Sequence, residues 1–420
     1  MIPLPRLGLG ALVAALSLPQ FAVAQTPAPD QLRETDLRAH IGYLASEELE
    51  GRESGERGGR LAEIYVQAHF QRLGLQPLAG HTEMRLPFQA GSRTCNNVVA
   101  VLPGRDPALR GKYLVIGGHL DHAGIGGPGA MGFPGEIHNG ADDNASGTAG
   151  VMELAEWYSA HPPRHSVIFI GFSAEERGLL GSQHLVDEKV VPLADIVGMV
   201  NLDMIGRSHG YLFVAGLGTA VEFRALLNPI FDRVKDLRLE LNDLGEAPSD
   251  NTSFYHGGVP SIFFFTHVHD DYHMPGDDAD KIDYAGELRV LQLVRESVDA
   301  MDAAPKLTFQ KADGMGMPAD FNARMGQHYS LIAKRQEMRG KLGVVADEAI
   351  GGLAVTSVSA GSAAEAVGIV TGDLLKQVNG REVHNLVDLR RALGGAMRGD
   401  SVTLLLVRGG ESLSLQATLK

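Results

Sequence analysis

Two stretches, YLVIGGHLD (113–121) and SVIFIGFSAEE (166–176), decide the fold. Each is an unbroken apolar run, too short for a helix of ordinary length, that stops abruptly at histidine or carboxylate residues. Runs of this kind read as strands buried on both faces. The same texture recurs in NVVAVLPG (97–104), DIVGMVNLD (195–203) and VPSIFFFT (259–266). Between them the spacing predicts helices over 146–160 and 219–234 and another after Gly286, while residues 31–75 carry two further helical patterns separated by a polar loop, 50–59. Strands alternating with helices predict an α/β fold, a mostly parallel twisted sheet with helices on both faces.

The polar residues gather where the strands end. The first run leads into His119 and Asp121, the second into Glu175 and Glu176, the run 195–202 into Asp203, and the last into His267, His269 and His273. A further segment, GADDNASG (140–147), opens the helix 146–160. Ligands of open α/β sheets bind outside the carboxyl ends of the strands, so these segments aim imidazoles and carboxylates at one crevice. Singly, a histidine after a strand or an Asp pair before a helix is ordinary, the latter as an N-cap. Jointly, two histidines and three carboxylates suffice for two zinc ions that share one carboxylate.

The motifs GGHLD (117–121), NGADDNASG (139–147), SAEERGLLGS (173–182), NLDMIG (201–206), SDNTSF (249–254) and DYHMPGDD (271–278) resemble those of the co-catalytic di-zinc aminopeptidases of metallopeptidase family 28, over roughly residues 35–300. The resemblance implies His119 and Asp203 on one zinc, Glu176 and His273 on the other, and Asp143 bridging them. It implies Glu175 as general base, passing a proton from the attacking water to the leaving amine. Asp121 would orient His119 by accepting its second N–H, Tyr272 would donate to the tetrahedral oxyanion, and Asp250 would lie close to the metals. His269 is the runner-up to His273 as ligand.

Beyond a break at 304–335, which contains Ala304-Pro305 and GMGMP (314–318) and reads as an irregular linker, residues 336–420 change rhythm to short β runs, Gly-rich turns and one helix over 386–393. This part resembles a bacterial PDZ domain in KLGV (341–344), in SVSAGSAAEAVGIVTGDLLKQVNGREV (357–383) and in VTLLLVRGG (402–410). A PDZ domain takes an extended peptide or protein C-terminus as an added strand, with backbone amides near Leu342-Gly343 receiving the carboxylate. The expected division is therefore a peptidase domain over 31–303, a linker over 304–335 and a PDZ domain over 336–420. A chain ending near Ala304 is expected to stay folded and active.

The 420 residues carry a formal net charge of −14 and no basic stretch, which argues against nucleic acid and anionic membrane surfaces as partners. Arg6, the apolar run 7–18 and Ala22-Val23-Ala24 form a signal-peptide pattern over 1–24, predicting export to the periplasm or medium, a mature start at Gln25 and no stable membrane span after cleavage. With Cys95 as the sole cysteine no internal disulfide forms. The reading is an exported aminopeptidase with two Zn2+ per chain, acting on peptides with a free N-terminus. A glutaminyl cyclase-like acyl transfer and a carboxypeptidase are the alternatives on the same scaffold.

Overall fold

In the computed structural model the described residues are 31–127, 129–133, 135–190 and 193–420, so the signal pattern lies outside them. The first layer is α1 (Glu34–Leu44) and α2 (Arg57–Arg72). The sheet follows: β1 (Arg85–Ala90), β2 (Arg93–Leu102), β3 (Tyr113–His119), α3 (Gly147–Ala160), β4 (Ser166–Phe172), α4 (Leu180–Asp187) and β5 (Ile196–Leu202). It continues through β6 (Tyr211–Ala215), α5 (Phe223–Phe231), β7 (Arg238–Leu241), α6 (Asn251–His256), β8 (Ser261–Phe265) and α7 (Tyr284–Ala303). The strand order is β1-β2-β4-β3-β5-β8-β6-β7. The four central strands β4, β3, β5 and β8 run parallel, whereas β1, β2 and the β8/β6 junction are antiparallel. Mostly parallel and covered on both sides, the sheet is the one the sequence predicts.

Side-chain alternation along β4 shows why its apolar run is unbroken. Val167 and Phe169 pack with α1, α2, α3 and α7 on one face, and Ile168, Ile170 and Phe172 pack with Leu185 of α4 and Phe254 of α6 on the other. A central strand with two cores has no position left for a polar residue. The helix α3 starts directly against the strand ends. A Cβ on Gly147 would stand 2.4 Å from the Leu202 carbonyl, so only glycine permits that approach.

Three strands escape the sequence reading, β1, β6 and β7, as do α4 and α6. They are short, and β7 is at most half-buried, so their patterns are weak. The larger correction concerns 304–335. This segment is not irregular linker throughout: it holds most of α8 (Phe321–Glu337). Phe321, Met325, His328 and Ile332 recur at helical spacing and turn towards the sheet domain, Phe321 and Met325 against Met204 and Phe265, Ile332 against Phe133 and Met274. The chain before it also docks, through bridges Ala220–Phe309 and Glu246–Met315. Polar residues between these anchors hide the periodicity, because only one narrow stripe of the helix is covered.

A second core, from Leu342 to Leu419, belongs to a separate antiparallel sheet. Its elements are β9 (Val344–Ala349), β10 (Gly352–Val358), α9 (Ala363–Ala366), β11 (Leu374–Val378), β12 (Arg381–Glu382), α10 (Leu386–Ala392), β13 (Ser401–Arg408) and β14 (Glu411–Thr418). The order β14-β13-β11-β10-β9 leaves β9 as an edge, with α10 alongside. Arg339 joins this domain to the first through Glu136, at 2.5 Å. Among the described residues no helix is long and apolar enough to cross a membrane.

Candidate metal centre

Three of the predicted ligands sit where a strand terminates, Asp143 lies in the turn that opens α3, and His273 lies in the loop after β8. His119 is the last residue of β3, Asp203 follows β5, and Glu175 and Glu176 follow β4. Ala174, Met204 and His273 adopt left-handed backbone, with φ of 58°, 50° and 53°. Non-glycine residues in that region store strain that tends to concentrate at functional sites.

The five predicted ligands converge. Nε2 of His119 lies 3.3 Å from Asp143 Oδ1 and 3.4 Å from Asp203 Oδ1, and Nε2 of His273 lies 2.9 Å from Asp143 Oδ2 and 3.5 Å from Glu176 Oε2. Asp143 thus offers one oxygen to each imidazole and stands between two donor groups. Two clusters with donor atoms within 4.8 Å of one another are suited to a cation: His119, Glu175 and Asp203, and His122, Asp143 and Glu176. The donor set fits zinc, a borderline-soft ion bound by imidazole and carboxylate. Buried Glu176 Oε1 and His122 Nδ1 and Nε2 have no hydrogen-bond partner, the condition of groups built to hold something else.

Its neighbour Asp142 is turned away: Oδ1 accepts from Gly206 N at 2.7 Å, and Oδ2 faces His269 Nε2 at 3.3 Å. His269 lies outside the donor clusters, its Nδ1 accepting the Asp271 N–H at 3.2 Å. His267 pairs with Asp320 at 3.0 Å, and His138 faces the Glu136 carbonyl at 3.0 Å. Tyr272 lines the cavity beside Glu175 and His273, and burial together with the Asp143, Glu176, Glu175 and Asp203 charges pushes its phenol well above the usual range.

Asp121 departs from expectation in one respect. Its carboxylate is 3.9 Å from His119 Nδ1, which instead faces the Asp121 backbone carbonyl at 3.2 Å. The carboxylate accepts from Ser54 Oγ at 2.7 Å and from the Glu175 N–H at 3.2 Å, so it holds the β4 loop in place. Burial and the Glu176, Asp203 and Asp250 charges raise the Glu175 carboxyl well above its ordinary value, against the pull of His119. Asp250, buried at the start of α6, is held up at about 7, chiefly by burial.

The sequence reading missed the supports. Arg52, fully buried, donates to the carbonyls of Leu44, Leu120, Asn139 and Gly140 at 2.5 to 3.1 Å. Ser54 also receives the Ala174 N–H at 2.8 Å. Asp277 accepts the N–H groups of Asp142 and Asp143, both at 3.0 Å, and is itself held by Arg207 at 2.8 Å. His122 adds an unexpected imidazole, whose only signal was its place three residues beyond His119. Arg52 and Ser54 gave none, since a charged loop ordinarily reads as solvated.

The donors line a cavity of about 290 Å³. One wall is acidic: Asp143, Glu175, Glu176 and Asp203. The other is apolar, with Phe263 and Phe265 from β8 joined by Met317 and Phe321 from the segment after α7. Among the described residues lining it there is no lysine or arginine.

The sequence profile of Peptidase family M28 matches residues 97–298, and that of the PDZ domain matches 340–419. Residues 97–298 are a Peptidase family M28 domain. The M28 domain carries the candidate metal centre in its entirety, from His119 to His273. Leucine aminopeptidase 1 of Ajellomyces dermatitidis is 30% identical over 206 residues, covering 45% of this chain and 51% of its own. A probable zinc metalloprotease of Pyrenophora tritici-repentis is 36% identical over 111 residues, 26% of this chain and 24% of its own. The matches thus span about half and about a quarter of these relatives' own length. In fold, a zinc aminopeptidase from Bacillus subtilis aligns with a TM-score of 0.52 at 17% identity, covering 69% of this chain and 100% of that one. A glutaminyl cyclase from Porphyromonas gingivalis aligns with 0.54 at 17% identity, covering 64% and 99%.

Proposed function

We propose that the protein is an exported aminopeptidase that holds two zinc ions through His119, Asp143, Glu176, Asp203 and His273 and hydrolyses the first peptide bond of substrates with a free N-terminus. The observation that carries the reading is the cavity itself, in which the predicted ligands and Glu175 face an apolar wall across one space. With Asp143, Glu176 and Asp203 committed to the metals, the described lining of the cavity still offers no lysine or arginine to a substrate's free carboxylate, which favours an aminopeptidase over a carboxypeptidase. The apolar wall fits a bulky hydrophobic first side chain, in keeping with a leucine aminopeptidase among the relatives.

Zinc bound there supplies Lewis-acid polarisation of the scissile carbonyl and a water of lowered pKa. Glu175, its basicity raised by burial and neighbouring carboxylates, takes the water's proton and delivers it to the leaving amine. Tyr272, kept protonated, donates to the oxyanion. Asp121, through Ser54 and the Glu175 N–H, fixes the loop that carries the base. In the PDZ domain, the open edge of β9, with α10 alongside, is where a peptide would pair as an added strand.

Elemental analysis together with a panel of aminoacyl amides, with and without a free amine, tests the reading. Two zincs per chain and dependence on the free amine are expected. One zinc with cyclisation of N-terminal glutamine would replace it with the glutaminyl cyclase alternative. Export is tested by sequencing the mature N-terminus, expected at Gln25; an intact Met1 would overturn it.

A further inference from the structure

We propose that His122 is a sixth protein ligand of this centre, donating Nδ1 to the cation shared by Asp143, Glu176 and His273. The proposal rests on the two-metal reading above and adds a donor to it.

The residue is anchored and enclosed. Its backbone N–H is bonded to the Arg52 carbonyl at 3.3 Å, its side chain is 1% exposed, and its ring meets that of His273 edge-on, with centroids 5.5 Å apart at 82°. Nδ1 lies 2.7 Å from Glu176 Oε1 and 4.0 Å from Asp143 Oδ2. At 2.7 Å a hydrogen bond to Glu176 would be expected, yet neither atom makes one, and Nε2 is unpartnered as well. An imidazole nitrogen presents its proton or lone pair only in the ring plane, so this failure means that the plane points past Oε1. His122, Asp143 and Glu176 each offer one donor atom, and these atoms all lie within 4.8 Å of one another.

The spacing agrees with a cation at that point. Donors on a tetrahedral zinc with bonds of about 2.0–2.1 Å lie roughly 3.4 Å apart. The contacts of His122 with Glu176 and Asp143, at 2.7 and 4.0 Å, straddle that value, as do those of His273 with Asp143 and Glu176, at 2.9 and 3.5 Å. Other buried histidines nearby differ: His138 faces a backbone carbonyl and His267 faces Asp320, while His269 Nε2 also lacks a hydrogen bond, 3.3 Å from Asp142 Oδ2, but belongs to no three-donor cluster among the described residues. The result is an asymmetric centre, with two imidazoles on the Glu176 side and one on the Asp203 side.

Cobalt(II) loaded into the full chain tests this by proton NMR. Each bound imidazole contributes one hyperfine-shifted, exchangeable N–H signal, so three are expected at two cobalts per chain. In His122→Gln one signal should vanish and the second cobalt should bind more than about 100-fold more weakly, beyond the usual effect of losing a group that merely orients a ligand. Two signals in the wild-type protein with two cobalts bound would overturn the assignment and leave the metal centre standing. Failure to bind cobalt would overturn both. The wild-type count decides even if the variant does not fold.

Discussion

Arg52 is the residue on which the centre should depend most among those that touch neither metal nor substrate. Its guanidinium is buried beneath the site and joins the end of α1, through Leu44 O, to the β3 loop, through Leu120 O, and to the turn that carries Asp143, through Asn139 O and Gly140 O. Burial lowers its pKa only to about 10, with Asp143, Asp121, Asp277 and Glu176 pulling it up, so it is charged throughout the working pH range. Arg52→Met removes four charge-assisted bonds and leaves their carbonyls dry. Such bonds are worth about 1.5–3 kcal/mol each and are not additive. Removing one partner from a buried ionic network costs about 3–5 kcal/mol, which is the expected loss. Arg52→Lys keeps the charge but cannot fork to three segments, so about half that loss is expected. Urea unfolding followed by fluorescence of Trp157, the sole tryptophan and part of α3, reads this domain specifically. Zinc affinity should fall about 10–100-fold as the Asp143 turn loosens. An Arg52→Met protein within about 1 kcal/mol of wild type and with unchanged zinc affinity would refute the argument.

Glu175→Gln should keep its zinc and lose about 10²–10⁴-fold in turnover; wild-type turnover would move the base elsewhere, Asp250 first. His40 and His69, stacked edge-on at 4.8 Å under α1 to α3, have pKa values lowered to about 4 and about 3, chiefly by burial, with Arg72 assisting and Asp36 and Glu156 opposing at His40. The unfolded chain binds protons near 6.5 and the folded one does not, so stability falls as pH drops from 6.5 towards 4, by up to about 1.4 kcal/mol per pH unit for each group. Urea midpoints across that range should show the slope, and the double variant His40→Gln, His69→Gln should flatten it; an unchanged slope would place the effect in other groups. A chain ending near Ala304 loses Met317 and Phe321 from the cavity wall, so kcat/KM for bulky apolar aminoacyl amides should fall about 10–100-fold, the equivalent of one or two lost apolar contacts. A chain ending after α8 should retain it, and equal values for the two would show that the segment is dispensable.

The sequence by itself determined the parallel core, because strands with two buried faces must be apolar at every position and β3, β4, β5 and β8 have no other reading. It also determined which chemical groups meet, since His119, Glu175, Glu176 and Asp203 come directly at strand ends, where the fold leaves them no other direction. The choice of Asp143 over Asp142 and of His273 over His269 came from the family pattern; in the structure Asp143 and His273 line the cavity 2.9 Å apart, and Asp142 and His269 face each other at 3.3 Å. What only the tertiary structure decided are contacts between segments far apart in the chain. Arg52 and Ser54 lie in a loop whose polarity reads as solvated, and only the approach of residues 120, 139 and 174 makes it the buried support of the centre. The α8 stripe of Phe321, Met325 and Ile332 is too narrow to stand out, and it becomes a cavity wall and a domain contact because the sheet end offers a matching apolar patch. His122 shows the same limit. A side chain three residues past a ligand points wherever the loop turns it, and that turn is set by the bond from its N–H to Arg52, seventy residues earlier in chain order, so no local pattern could have placed its ring against Glu176.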